Sequence, residues 1–141
     1  MEGNVLKLKY LIPNNDFLNV GMASSNMKKV LKQIGVHPSK IKNASVAMYE
    51  AEINACIHAG GGNAEIEVYP YKIIIKIIDN GPGIPNVDLA MQEGYSTASD
   101  EVRQMGFGAG LGLPNIKKHA DEFEINTIAG EGTEVTIIVN F

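Results

Sequence analysis

The chain has a single cysteine, Cys56, so no disulfide can form within it and no multi-cysteine metal site can be built. Apolar neighbours mark Cys56 as a buried thiol. Long basic runs are also missing. With a formal net charge of -4 and a pI near 5.3, the chain offers no electrostatic footprint for nucleic-acid phosphates. No run approaches the roughly eighteen apolar residues that a membrane helix needs. The opening Met1-Glu2-Gly3-Asn4 lacks the basic and apolar regions of a signal peptide, so a cytoplasmic location is expected. His37, His58 and His119 have no metal-ligand spacing, and no His-Glu-x-x-His occurs, which disfavours a zinc hydrolase. No Gly-Lys dipeptide occurs, which excludes a P-loop.

The 141 residues, 45% of them hydrophobic, are enough for one globular domain over 1–141 with a real core. Val5 to Ile12 alternates before Pro13 and reads as a first strand at a sheet edge. Phe17, Val20, Met27, Val30, Leu31 and Ile34 recur at helical spacing up to Gly35, with a weak middle at Ala23-Ser24-Ser25-Asn26. A second helix opens near His37-Pro38-Ser39 and runs to Gly60-Gly61-Gly62, with Val46, Tyr49, Ile53 and Ile57 as its expected core stripe. Strands over 65–69 and 72–78, separated by Pro70-Tyr71, form an antiparallel hairpin. A mixed polar segment from Asn86 to Met105 holds a short helical piece at 87–92. A helix from about Pro114 to His119 and two strands, 123–128 and 133–139, close the chain. This order predicts an α/β two-layer sandwich, a mostly antiparallel mixed sheet with helices on one face.

Three stretches carry chemistry. The most apolar run, Ile73 to Ile78, delivers Asp79 into the turn Asn80-Gly81-Pro82-Gly83-Ile84-Pro85, where glycines allow backbone to approach a flat ligand. Glu50 and Asn54 are four residues apart and share one helix face, a carboxylate beside an amide oxygen suited to a hard metal; Glu52 points away from them. Gly106, Gly108, Gly110 and Gly112 alternate up to the start of a helix, which makes an anion site for phosphates. The third glycine that a dinucleotide fingerprint needs is replaced by Leu111 and Leu113.

In this order the stretches resemble the signatures of the Bergerat-fold (GHKL) ATPases, which include histidine kinase catalytic domains, the DNA gyrase ATPase and MutL proteins. Glu50 to Ala59 is similar to the N box, Asp79 to Pro85 to the first glycine box, Gly106 to Leu113 to the second, and Gly130-Glu131-Gly132-Thr133 to the final Gly-Thr element. The bare catalytic domain, the short lid, and Gly94-Tyr95-Ser96-Thr97 followed by Gly110-Leu111-Gly112-Leu113-Pro114 resemble the bacterial anti-sigma-factor serine kinases and the switch kinase of the stress-signalling complex.

The resemblance implies ATP and Mg²⁺ as cofactors. It implies that Asp79 accepts from the adenine amino group with Thr133 in support, and that Gly81 and Gly83 admit the base. Asn54 would bind Mg²⁺, the run Gly108, Ala109, Gly110, Leu111 and Gly112 would cradle the phosphates, and Glu50 would orient or deprotonate the attacking hydroxyl. Arg103 would reach the γ-phosphate. The implied activity is serine/threonine-protein kinase transfer to a STAS-domain anti-sigma antagonist. A sigma factor is a further candidate partner, a homodimer is compatible, and neither nucleic acid nor membrane is expected. An ATP-dependent sigma-binding module without kinase activity and a stand-alone histidine kinase catalytic domain stay open as alternatives.

Overall fold

The computed structural model describes residues 5–14, 19–58, 60–81, 112–128 and 130–141. Their elements are β1 (Leu6–Ile12), α1 (Met22–Gln33), α2 (Pro38–His58), β2 (Gly62–Val68), β3 (Lys72–Asp79), α3 (Gly112–His119), β4 (Glu122–Ile128) and β5 (Gly132–Asn140). The strands form a sheet in the order β1-β2-β3-β5-β4, with every neighbouring pair antiparallel. β1 is an edge strand, as its early proline stop suggests. The Pro70-Tyr71 turn is closed by the Tyr69 N–H donating to the Lys72 carbonyl at 2.8 Å, and it makes the expected β2–β3 hairpin.

Alternation decides which face each strand buries. Ile73, Ile75 and Ile77 of β3, Ile66 and Val68 of β2, and Val135, Ile137 and Val139 of β5 point to one side and form a contiguous core with Met27, Leu31, Met48 and Ile116 of the helices. Helix α2 packs on this side against β3 and β5, with α1 and α3 beside it. The other face carries cross-strand rows. In one, Lys9 pairs with Glu65, Glu65 with Lys76, Lys76 with Thr136, and Thr136 with Glu124. Opposite charges on neighbouring strands support the sheet by roughly 0.2–1 kcal/mol per pair.

Two helices differ from the sequence reading. The expected core stripe of α2 is displaced: Ile53 is buried, but Tyr49 is 37% exposed, and the other buried apolar positions of the helix are Ile41, Ala44, Ala47, Met48, Ala51, Ala55 and Cys56. Small alanines let the helix backbone lie close to the sheet, so bulk does not mark the buried face. Helix α1 starts at Met22 and not at Phe17, which lies outside the described residues. Its apparently weak segment is its first turn, with Ala23 and Ser24 buried, and Ile34 at its C-terminal end is 53% exposed. Gly21 stands before it at φ 97°, and a Cβ there would sit 2.7 Å from the Tyr49 ring, so glycine is required twice over.

Candidate nucleotide site

Strand β3 ends at Asp79, directly opposite Thr133 in the β5 register. There the Asp79 Oδ1 accepts two backbone N–H bonds, from Gly81 at 2.9 Å and from Thr133 at 3.1 Å. The carboxylate is therefore fixed by the strand end and its own turn, with Oδ2 outside both bonds. Thr133 is 7% exposed, and its Oγ1 lies 3.0 Å from Thr127 Oγ1 on β4, which ties the third strand into the same corner. Gly132 completes the corner at φ 128°. A Cβ at Gly132 would overlap the Asp79 carbonyl oxygen, so the two strands meet here as closely as backbone allows.

On α2, Glu50 and Asn54 are both half-buried and stand one helical turn apart, as the spacing required. Glu50 Oε1 accepts from Asn115 Nδ2 of α3 at 3.4 Å. Burial pushes the Glu50 carboxyl above its ordinary value, while the Asn115 amide and the nearby His119 act in the opposite direction. Glu52, two residues on, faces the other way. It is 1% exposed, and its oxygens accept the Ser24 N–H at 2.7 Å and the Gly21 N–H at 3.1 Å. Burial raises the Glu52 carboxyl too, against the bonds from Ser24 and Gly21.

Sequence reasoning therefore placed Asp79, Gly81 and Thr133 in one corner, and Glu50 with Asn54 on one face. Gly112 is the first residue of α3. Gly83, Gly108, Ala109, Gly110 and Leu111 lie outside the described residues, as do Arg103 and the 86–105 segment. Asn115 and His119 were missed. Their spacing of four on the helix after the glycine run was the available signal.

The donors fit the groups implied. A carboxylate fixed through Oδ1, with Oδ2 outside the bonds made by the described residues, suits an exocyclic amino group. Among the described residues no group of three or more His, Cys, Asp or Glu could hold a metal ion, and the half-buried Asn54 offers an amide oxygen, a donor type that hard cations accept. Among the same residues no helix is long and apolar enough to cross a membrane.

Residues 39–141 match the family described as histidine kinase-, DNA gyrase B- and HSP90-like ATPase. The serine/threonine-protein kinase RsbT of Bacillus subtilis is 36% identical over 115 residues, 79% of this chain and 80% of that protein. The anti-sigma F factor of Caldanaerobacter subterraneus subsp. tengcongensis is 30% identical over 137 residues, 94% of this chain and 90% of that one. Two solved structures share the fold at low identity. The SiaB-SiaC complex from Pseudomonas aeruginosa matches with a TM-score of 0.62 at 12% identity, over 98% of this chain and 91% of that chain. The RsbU and RsbW domains of Rv1364c from Mycobacterium tuberculosis match with a TM-score of 0.60 at 15% identity, over 96% of this chain but 33% of that chain. Since the family match takes in Glu50, Asn54, Asp79 and Thr133 together, the chain belongs to the histidine kinase-, DNA gyrase B- and HSP90-like ATPases.

Proposed function

We propose that this chain is a cytoplasmic protein serine/threonine kinase, a single ATPase domain over residues 1–141, that moves the γ-phosphate of ATP to a serine or threonine of a STAS-domain antagonist. The observation that carries the proposal is the pairing on α2: a half-buried carboxylate, Glu50, one turn from an amide oxygen, Asn54, against the helix that opens at Gly112. In this reading Asp79, fixed by the Gly81 and Thr133 N–H groups, accepts from the adenine amino group, and Gly81 and Gly83 leave room for the ring. The stretch from Gly108 to Gly112 donates backbone N–H groups to the phosphates, helped by the positive end of α3. Asn54 would hold Mg²⁺, which when bound would neutralise phosphate charge. Glu50 takes the proton of the attacking hydroxyl or orients it, and raised basicity from burial suits a base working near neutral pH. Phosphoryl transfer of this kind is mostly positioning and charge neutralisation. The relatives named as a serine/threonine-protein kinase and as an anti-sigma factor support the assignment of the reaction class.

The open sheet face supports a second partner, another copy of the chain. Its edges carry opposite charge, Lys7 and Lys9 on β1 and Glu122 and Glu124 on β4, with Ile74 and Ile138 on the strands between. A twofold axis along the strands brings the lysine edge of one copy onto the glutamate edge of the other.

Incubation with γ-labelled ATP, Mg²⁺ and candidate STAS-domain proteins tests the kinase reading. Label on a serine or threonine of one of them is the expected result. Label retained on histidine favours a histidine kinase catalytic domain. ATP-dependent retention of a sigma factor without any transfer favours the binding module.

A further inference from the structure

Helix α3 is fixed in rotation by its apolar side. Leu113 is 7% exposed and Ile116 is fully buried, so the stripe carrying Asn115 and His119 has one direction to face. From that stripe Asn115 Nδ2 donates to Glu50 Oε1, 65 positions away in sequence, at 3.4 Å. This is long for a charge-assisted bond. His119 Nδ1 lies 2.9 Å from the Asn115 carbonyl oxygen. A carbonyl can only accept, so this nitrogen carries the proton and the bond straps the turn that presents Asn115.

We propose that Asn115 is a positioning residue for Glu50: its amide N–H holds one carboxylate oxygen, which leaves Oε2 to face the substrate hydroxyl. The inference rests on the reading of Glu50 as the base. An N–H donor also favours the ionised carboxylate, the form a base must have, against the cost of its burial. Because α3 begins at Gly112, the last glycine of the run assigned to the phosphates, the same short helix joins that run to the base. An asparagine that merely filled space would tolerate aspartate, which has the same shape but presents an anion to Glu50 where the amide presented a donor.

The test is a double-mutant cycle on the full chain, using Mg²⁺, ATP and the STAS-domain protein labelled in the assay above. Asn115→Asp should lower kcat for transfer about tenfold or more, with the ATP dissociation constant from calorimetry unchanged. Asn115→Ser, which perturbs the helix differently, should lower kcat in the same way and guards against a folding defect peculiar to aspartate. In a Glu50→Gln background either change should cost little further, because the residue acts through Glu50. Full additivity, or wild-type kcat in both Asn115 variants while Glu50→Gln is impaired, overturns the proposal and leaves Glu50 as the base. A Glu50→Gln variant with undiminished transfer overturns the reading of Glu50 itself, and this inference falls with it.

Discussion

Glu52 reaches from the middle of α2 to the first turn of α1, where its Oε1 accepts the Ser24 N–H at 2.7 Å and its Oε2 the Gly21 N–H at 3.1 Å. Helix α1 has no side-chain cap of its own; a carboxylate 28 positions later in sequence supplies it. Glu52→Ala should therefore destabilise the fold by about 2 kcal/mol or more, since two N–H groups lose their acceptor in a buried place. Glu52→Gln should destabilise less, because an amide oxygen still serves one of them. Phosphate transfer per folded molecule should be unchanged in Glu52→Gln. Urea denaturation checks the stability, and an unaltered midpoint for Glu52→Ala would remove the capping role.

The same burial sets a pH dependence. The Glu52 carboxyl titrates above its ordinary value of 4.5 in the native state, chiefly because burial penalises the charge. Between that ordinary value and the raised native one, the native state holds more protons than the unfolded state. Stability should then fall as pH rises through this window, and Glu50, raised for the same reason, acts in the same direction. Replacing Glu52 by glutamine should flatten the slope. Urea midpoints measured from pH 4 to pH 8, as a roughly spaced series, decide it; an identical slope in the variant would show that Glu52 does not titrate there.

The corner at Asp79 makes a prediction about the glycine packed against its backbone. Gly132→Ala places a methyl group on the Asp79 carbonyl oxygen at a φ that side chains rarely adopt. The β3 and β5 ends must separate, and the Thr133 N–H leaves Asp79 Oδ1. ATP affinity should fall about tenfold or more, a bond to a charged group being worth roughly 1.5–3 kcal/mol. Asp79→Asn should also weaken binding, by exchanging an acceptor for a donor. Calorimetry with folded variants settles both, and wild-type affinity in Asp79→Asn would withdraw the adenine assignment.

Much of this corner was legible in the sequence, because an isoleucine run ending in Asp-Asn-Gly fixes both a strand and its last residue. The Glu50 and Asn54 pair was legible for a similar reason, since four residues along a helix fix a shared face whatever surrounds it. The buried face of α2 was not. Its alanines carry little hydrophobic signal, and the bulky Tyr49 lies beside Gly21 on the flank of α1 instead of on the sheet. The cap of α1 was equally hidden, since nothing local in Ala23-Ser24-Ser25-Asn26 announces that a glutamate from another helix will satisfy its first N–H groups. Long-range polar contacts of this kind have no period to read.

If two copies pair through the open sheet face, Lys7→Glu combined with Lys9→Glu should dissociate them, by setting glutamate against the partner's Glu122 and Glu124. Adding Glu122→Lys and Glu124→Lys to the same chain should restore pairing, because every contact is then reversed in sign. Sedimentation at low and high salt reads the oligomeric state. A wild-type chain that sediments as a monomer at all salt concentrations would discard the homodimer.

The two α2 residues of the proposed site should fail differently. Asn54→Ala removes the amide oxygen assigned to Mg²⁺, so ATP should bind the variant with an affinity that no longer rises when Mg²⁺ is added, and transfer should fall with it. Glu50→Gln keeps the shape of the side chain and a hydrogen-bonding oxygen for Asn115, so Mg²⁺-dependent affinity should persist. Transfer should drop by about a hundredfold, the usual contribution of a positioned base. Calorimetry with and without Mg²⁺ separates the two before any transfer is measured. Should Glu50→Gln lose the Mg²⁺ dependence while Asn54→Ala keeps it, the roles are reversed: the carboxylate is the metal ligand, and the hydroxyl proton must leave by another route.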